Sequence, residues 1–265
     1  MFLNVVSAQT VGRMVWRRVQ VALTLLTSVS SCQRLHMAWR SHGTDNADMV
    51  RLLRGNGVIE TDRVERIMRQ VDRGNYCAHN PYSDRPQSIG YGVTISAPHM
   101  HAYALENLSS RLQPGASVLD IGSGSGYLTA CMALMVGENG VAVGVEHIEE
   151  LVQQARRNID KDQPQLLSSG RVQLVAGDGR LGYPQRAPYD AIHVGAAAPV
   201  LPEQLVAQLK PGGRLLIPVG AQGDTQYMEQ VDKAADGTVT RSRLLGVVYV
   251  PLTDRKKQWP GRSEL

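Results

Sequence analysis

Within this chain of 265 residues, the residue types best spaced for chemistry run from Asp120 to Gly126. Val118-Leu119 is apolar, Asp120-Ile121 follows, and glycine then recurs at Gly122, Gly124 and Gly126. The apolar pattern resumes at Tyr127-Leu128, which predicts a buried parallel strand, a tight turn and a helix start. Glycines suit such a turn because a side chain would hold the backbone away from a ligand lying across it. The helix start then offers unpaired N–H groups to that ligand. A dinucleotide fingerprint needs a third glycine where Tyr127 stands. The shorter glycine pattern behind an acid suits a nucleoside bearing an amino-acid tail. Asp120 would accept from the ammonium of that tail, directly or through water, and Gly122, Gly124 and Ser125 would line its site.

Two more acids fall at the ends of apolar runs. Val141 to Val145 reads as a second buried strand, and Glu146 ends it about twenty residues past the last loop glycine, where doubly wound folds grip ribose hydroxyls. Val172 to Ala176 reads as a third, followed by Gly177-Asp178-Gly179, and Asp178 is placed to accept from an adenine amino group. Each acid taken singly also reads as a solvated loop residue or a helix cap. Three acids at the carboxyl ends of three successive strands mark the edge where open parallel sheets bind ligands.

The elements that must position these residues alternate from Ala116 to Pro218. Strands are predicted over Val118 to Ile121, Val141 to Val145, Val172 to Ala176, Ala191 to Val194 and Arg214 to Ile217, a doubly wound parallel sheet. Val231 to Lys233 and Leu244 to Val250, split by the Asp236-Gly237 turn, predict a closing antiparallel pair. Upstream, Thr44 to Arg54 and Thr61 to Arg73 predict helices that begin at Thr. A turn-rich stretch follows between Tyr76 and Tyr91, and Pro98 starts a helix running to about Leu112.

Hydrophobic residues make up 43% of the chain, enough for one sizeable core, and the single Phe leaves that core to aliphatic residues and Met. The net charge of +4 invites a nucleic-acid reading, which fails on inspection. Of 28 Lys and Arg, Arg13, Arg17, Arg18 and Arg34 lie in the first 36 residues, where there is no acid; the rest balance the 24 Asp and Glu. No basic stripe with interleaved aromatics appears, so no nucleic-acid partner is expected. Cys32, Cys77 and Cys131 form no C-x-x-C pair, which fits a reducing compartment. His99 and His101 are two apart, on different helix faces, and no metal site is expected. Residues 1–36 read as a basic and apolar extension: a signal-like or transit-like segment, or a disordered stretch upstream of Met37. Its apolar run is too short to span a membrane. A cytoplasmic monomer is expected. The extension and the Arg262-Ser263-Glu264-Leu265 tail leave the endoplasmic reticulum as the alternative.

The run Pro86-Gln87-Ser88-Ile89-Gly90 through Thr94-Ile95-Ser96-Ala97-Pro98-His99-Met100-His101-Ala102 is not explained by the sheet. It resembles a signature of protein-L-isoaspartate O-methyltransferases. Gly177-Asp178-Gly179, Pro188-Tyr189-Asp190-Ala191-Ile192, Leu209-Lys210-Pro211-Gly212-Gly213-Arg214 and Val250-Pro251-Leu252-Thr253-Asp254 are similar to further segments of that family. The glycine loop and the Pro-Gly-Gly turn are general to S-adenosylmethionine-dependent methyltransferases; the Ser96-centred run and the Pro-Leu-Thr ending are more specific. The resemblance covers about Met37 to Trp259. It implies a Rossmann-like class I fold with N-terminal helices and a C-terminal antiparallel strand pair, in one domain over residues 37–265. It implies S-adenosyl-L-methionine as cofactor, lined by Val93, Thr94, Ile95, Ser96, His101, Ser125, Glu146, Asp178, Gly179 and Thr253, with Ser96 catalytic. Position 146 is Glu where relatives often carry Asp, and the longer arm still reaches both ribose hydroxyls.

The implied substrate is an isoaspartyl residue in a damaged protein, and possession of a free α-carboxylate makes it a nucleophile without a general base. Catalysis then comes from alignment and desolvation. Ser96 and Thr94 are expected to orient the carboxylate, and Ser96 also reads as a cap for the helix at Pro98. Val248-Tyr249-Val250 is expected to offer an edge strand for peptide pairing. The alternatives are a cofactor-binding adaptor for damaged proteins, and a methyltransferase for a small molecule or RNA. The intact Thr94 and Ser96 favour the enzyme.

Overall fold

The structure, a computed structural model, describes residues 41–260. The readings made for residues 1–40 and for the 262–265 tail lie outside the described residues.

Three helices open the described chain. Helix α1 (Asn46–Gly55) starts two residues later than predicted, because the Asp45 side chain rather than Thr44 accepts from the Asp48 N–H. Helix α2 (Asp62–Gln70) is capped by Thr61 as expected. It stops short of Arg73 because Asp72 caps a separate 3-10 turn over Arg73–Asn75. A two-stranded hairpin follows, β1 (Gln87–Gly90) and β2 (Val93–Ile95), then helix α3 (Pro98–Leu108). Glu106 of α3 accepts from the Glu60 and Thr61 N–H groups and so ties α3 to the start of α2. Met49, Leu53, Val64, Met68, Leu105 and Leu108, spaced along one face of their helices, are buried in a shared core.

The remaining elements build the sheet. In chain order they are β3 (Ser117–Ile121), α4 (Tyr127–Met135), β4 (Val141–Glu146), α5 (Glu149–Asp162), α6 (Pro164–Ser168), β5 (Val172–Ala176), β6 (Tyr189–Val194), α7 (Glu203–Ala207), β7 (Leu209–Val219), β8 (Gln226–Lys233), β9 (Val239–Val247) and α8 (Arg255–Gln258). Strand order is β5-β4-β3-β6-β7-β8-β9. The first five are mutually parallel, while β8 and β9 run antiparallel. The antiparallel pair therefore extends the main sheet, and β7 outgrows its predicted span at both ends, where Leu209 pairs with Tyr189 of β6 and Pro218 and Val219 pair with β8. The order of the early strands reverses between β3 and β6, which places a crevice beyond their carboxyl ends. Among the described residues no helix is long and apolar enough to cross a membrane.

Candidate active site at the carboxyl edge of the sheet

The loop from β3 to α4 is held by its own backbone. Gly122, Gly124 and Gly126 adopt φ of +71°, +48° and +83°, the left-handed region that favours glycine. At Gly126 a Cβ would also lie 3.1 Å from Ala155 and from Ile159, so α5 packs against the turn. The Glu146 side chain reaches this loop from the tip of β4. One carboxylate oxygen accepts from Gly124 N–H at 3.2 Å, the other from Ile148 N–H at 3.1 Å. Its burial raises the Glu146 pKa above the usual value, against the pull of the Ile148 N–H, His147 and the Gly124 N–H.

Asp120 lies almost wholly inside. Its Oδ2 accepts from Thr129 Oγ1 at 2.6 Å and its Oδ1 meets His193 Nδ1 at 2.9 Å. Both oxygens of Asp120 thus have protein partners.

The second wall is the β2–α3 junction. The N-cap of α3 is Ala97 and no side chain caps it, so the capping role considered for Ser96 is not taken. The Ser96 side chain instead meets the hydroxyl of Tyr249. Burial drives the Tyr249 pKa up to about 12, with Ser96 pulling the other way. Beneath Ser96 lies Arg73, fully buried and with no ion-pair partner seen among the described residues. Its Nη2 donates to the Ser96 carbonyl at 2.8 Å, its Nε to the Pro81 carbonyl at 2.7 Å, and its Nη1 to His101 Nδ1 at 3.1 Å. Its guanidinium carbon sits 5.6 Å from the Tyr127 ring centre, a cation–π contact. Burial first, then the Arg73 charge, holds His101 well below the usual histidine pKa.

Three openings meet here. A cleft beyond the strand tips is lined by Val93, Thr94, Gly122, Glu146, Gly179 and Thr253 among others. A cavity over the glycine loop is lined by Ile95, Ser96, His101, Asp120, Gly124 and Ser125, again with Thr94 and Gly122. A broader groove, open to solvent, is bordered by Ser96, Met100, Gln226, Val248 and Tyr249. Thr94 and Gly195 border all three, so the openings adjoin at that point.

Of the residues expected to line the site, only Asp178 is absent from these walls. Its carboxylate is forked by Arg180 at 2.6 to 3.0 Å, and that bonding holds its pKa below the usual carboxylate value. The fork is local in sequence, and an acid two residues before an arginine is a signal that could have suggested it. The edge expected at Val248-Tyr249-Val250 is taken up in part. The Gln226 side chain takes both the N–H and the carbonyl of Tyr249, and the Val250 carbonyl accepts from Ala197 N–H. Arg73, His193 and Gln226 were not singled out in the sequence. For His193 the available signal was position, at the tip of a predicted strand.

A nucleoside with an amino-acid tail fits a carboxylate at the β4 tip, a bare glycine loop and a polar cavity beside it, which together define an α/β nucleotide-cofactor protein with an open groove alongside. The family model for protein-L-isoaspartate(D-aspartate) O-methyltransferase matches residues 44–257. A protein-L-isoaspartate O-methyltransferase of Caenorhabditis elegans is 48% identical over 84% of this chain and 99% of its own length. The first such enzyme of Arabidopsis thaliana is 52% identical over 82% of this chain and 94% of its own. A crystal structure from Plasmodium falciparum, described as an enzyme of this kind in complex with S-adenosyl-L-homocysteine, superposes with a TM-score of 0.75 at 38% identity, covering 79% of this chain and 99% of that one. The chain belongs to the protein-L-isoaspartate(D-aspartate) O-methyltransferase family.

Proposed function

We propose that this chain methylates the free α-carboxylate of isoaspartyl residues in damaged proteins, with S-adenosyl-L-methionine as cofactor, and so begins their repair. The observation that carries this reading is the meeting of cleft, cavity and groove at Thr94 and Gly195. A group held in the first two is presented there to a peptide lying in the third. The buried Glu146 carboxylate and the glycine loop suit a ribose, and the polar cavity suits an amino-acid tail. S-adenosyl-L-methionine, when bound, supplies an electrophilic methyl group, and the substrate carboxylate needs no base to accept it.

The protein's part is positioning. The exposed Thr94 hydroxyl and the half-buried Ser96 hydroxyl stand at the junction and hold the incoming carboxylate by hydrogen bonds. Tyr249, its hydroxyl kept neutral by burial, fixes the Ser96 side chain. Gly195 lets the backbone after β6 pack closely on the glycine loop, because a Cβ there would stand 3.1 Å from the Gly122 carbonyl. Asp178 acts at one remove, by shaping the turn that presents Gly179. The domain is assigned to residues 37–265, behind an extension of residues 1–36, a division supported by the family match beginning at residue 44. The free thiols of Cys77 and Cys131 support a reducing, cytoplasmic setting, and the chain is taken to act as a monomer.

Methyl transfer from labelled S-adenosylmethionine to paired peptides, isoaspartyl and aspartyl, tests the reaction. Label is expected on the isoaspartyl peptide alone; cofactor binding without label on either would favour an adaptor. Ser96→Ala is expected to lower kcat about tenfold, the worth of one hydrogen bond to a charged group. Its affinity for S-adenosylhomocysteine should stay within about twofold of the parent, since the hydroxyl acts in the aligned state. Weakened binding at unchanged kcat would remove Ser96 from the reaction.

A further inference from the structure

Two buried histidines from different elements, His101 of α3 and His193 of β6, line the cavity over the glycine loop. Their ring nitrogens are committed in opposite senses. A guanidinium only donates, so Arg73 Nη1 at 3.1 Å requires a bare Nδ1 on His101 and leaves its proton on Nε2. A carboxylate only accepts, so Asp120 Oδ1 at 2.9 Å requires a proton on His193 Nδ1. The Thr129 hydroxyl, bonded to the other oxygen, keeps Asp120 in that orientation. In the Nδ1–H tautomer the His193 ring carries a bare Nε2.

Each ring is also backed by a charge. Behind the donor His101 stands the buried cation of Arg73; behind the acceptor His193 stands the buried carboxylate of Asp120. A donor backed by positive charge suits an anionic group, and an acceptor backed by negative charge suits a cationic one.

Building on the cofactor reading above, we propose that His193 receives the ammonium of the cofactor's amino-acid tail at its Nε2, with Asp120 as the positioning residue that sets its tautomer, while His101 and Arg73 form the opposite pair facing the tail carboxylate. The cavity thereby distinguishes a zwitterionic tail from a neutral one.

Two measurements on the full chain test this. Imidazole nitrogen shifts of the ligand-free protein at pH 8 should show the Nδ1–H tautomer at His193 and the Nε2–H tautomer at His101. Calorimetry would then compare S-adenosylhomocysteine with its analogue lacking the carboxylate, its analogue lacking the amino group, and 5′-methylthioadenosine. His193→Phe should lose about tenfold or more on the two ligands that carry the ammonium and less than about twofold on the other two. Equal losses on all four, or a proton on His193 Nε2, would overturn the assignment. Should His193→Phe fail to fold, His193→Gln, which can keep an acceptor oxygen, should show the same ranking with smaller losses, and the wild-type tautomers still decide. Wild-type protein that binds none of the four overturns the cofactor reading itself, an outcome distinct from binding that ignores the ammonium.

Discussion

Glu146→Ala is expected to weaken binding of S-adenosylhomocysteine about hundredfold, roughly 2.7 kcal/mol. The Glu146 carboxylate serves two surfaces. On the protein side it accepts from Gly124 and Ile148, and loss of both bonds leaves two backbone N–H groups without that acceptor. On the ligand side the same oxygens are those assigned to the ribose hydroxyls. Each hydrogen bond to a charged group is worth about 1.5 to 3 kcal/mol, and relief of the buried charge returns part of the sum. Hundredfold is where these opposing effects settle. Glu146→Gln keeps one acceptor oxygen but turns an NH2 toward a backbone donor, so about a tenfold loss is expected. Glu146→Asp retains both oxygens on a shorter arm and should stay within about threefold, since the residue need only reach the same hydroxyls. Calorimetric titration of the three variants checks the ranking, and an Ala variant that binds like wild type would remove the ribose role.

The raised pKa of Glu146 adds a pH dependence with a definite sign. Ribose hydroxyls donate to the ionised form, so affinity should fall as pH drops through the raised value, and binding there should release a proton. Stability of the ligand-free protein runs the other way. The unfolded chain gives up this proton first, so the contribution of Glu146 to folding declines as pH climbs from the ordinary glutamate value through the raised one and is level above it. Glu146→Gln should abolish both slopes. Affinity of the wild type that is flat from pH 7 down to pH 4.5 would separate the carboxylate from the ligand.

The sheet was legible because its parallel strands are buried on both faces and read as apolar runs ending in Gly or an acid. Val141 to Val145 matches β4 to within one residue for that reason. The solvent-facing β9 carries Thr240, Arg241, Ser242 and Arg243 in succession, so neither apolar run nor alternation marked it, and its predicted position was several residues late. The glycine loop and Glu146 were legible because few residue types tolerate those positions. The partners of Asp120 were not, since His193 lies 73 residues away and meets it only through the pairing of β3 with β6. Arg73 was read as the last residue of a helix. Nothing local distinguishes it from a solvated arginine; burial comes from the 3-10 turn and from Pro81, Ser96 and His101, brought around it by the intervening chain.

Arg73→Met is expected to reduce kcat/KM about hundredfold or more, because misplacing a reacting group by a fraction of an ångström has consequences of that order. The methionine fills a similar volume and spares the burial of a cation, which on its own would favour the folded state. Against that, the carbonyls of Pro81 and Ser96 and the Nδ1 of His101 all lose their donor in a site closed to water. Stranded acceptors cost about 1 to 3 kcal/mol each, so three of them outweigh the relief and a net destabilisation of roughly 3 kcal/mol is expected. The larger consequence is geometric. The Ser96 carbonyl is no longer tethered, so the hydroxyl on the same residue drifts relative to Tyr249, and His101 is free to take either tautomer. Arg73→Lys should rescue little, because an ammonium on a flexible stem does not span three acceptors that a planar guanidinium reaches together. Urea unfolding measured beside the two kinetic constants separates these effects. A variant that loses stability yet keeps wild-type kcat and KM at low temperature would make Arg73 a structural residue only, whereas loss of kcat in a fully folded variant places it beneath the reaction.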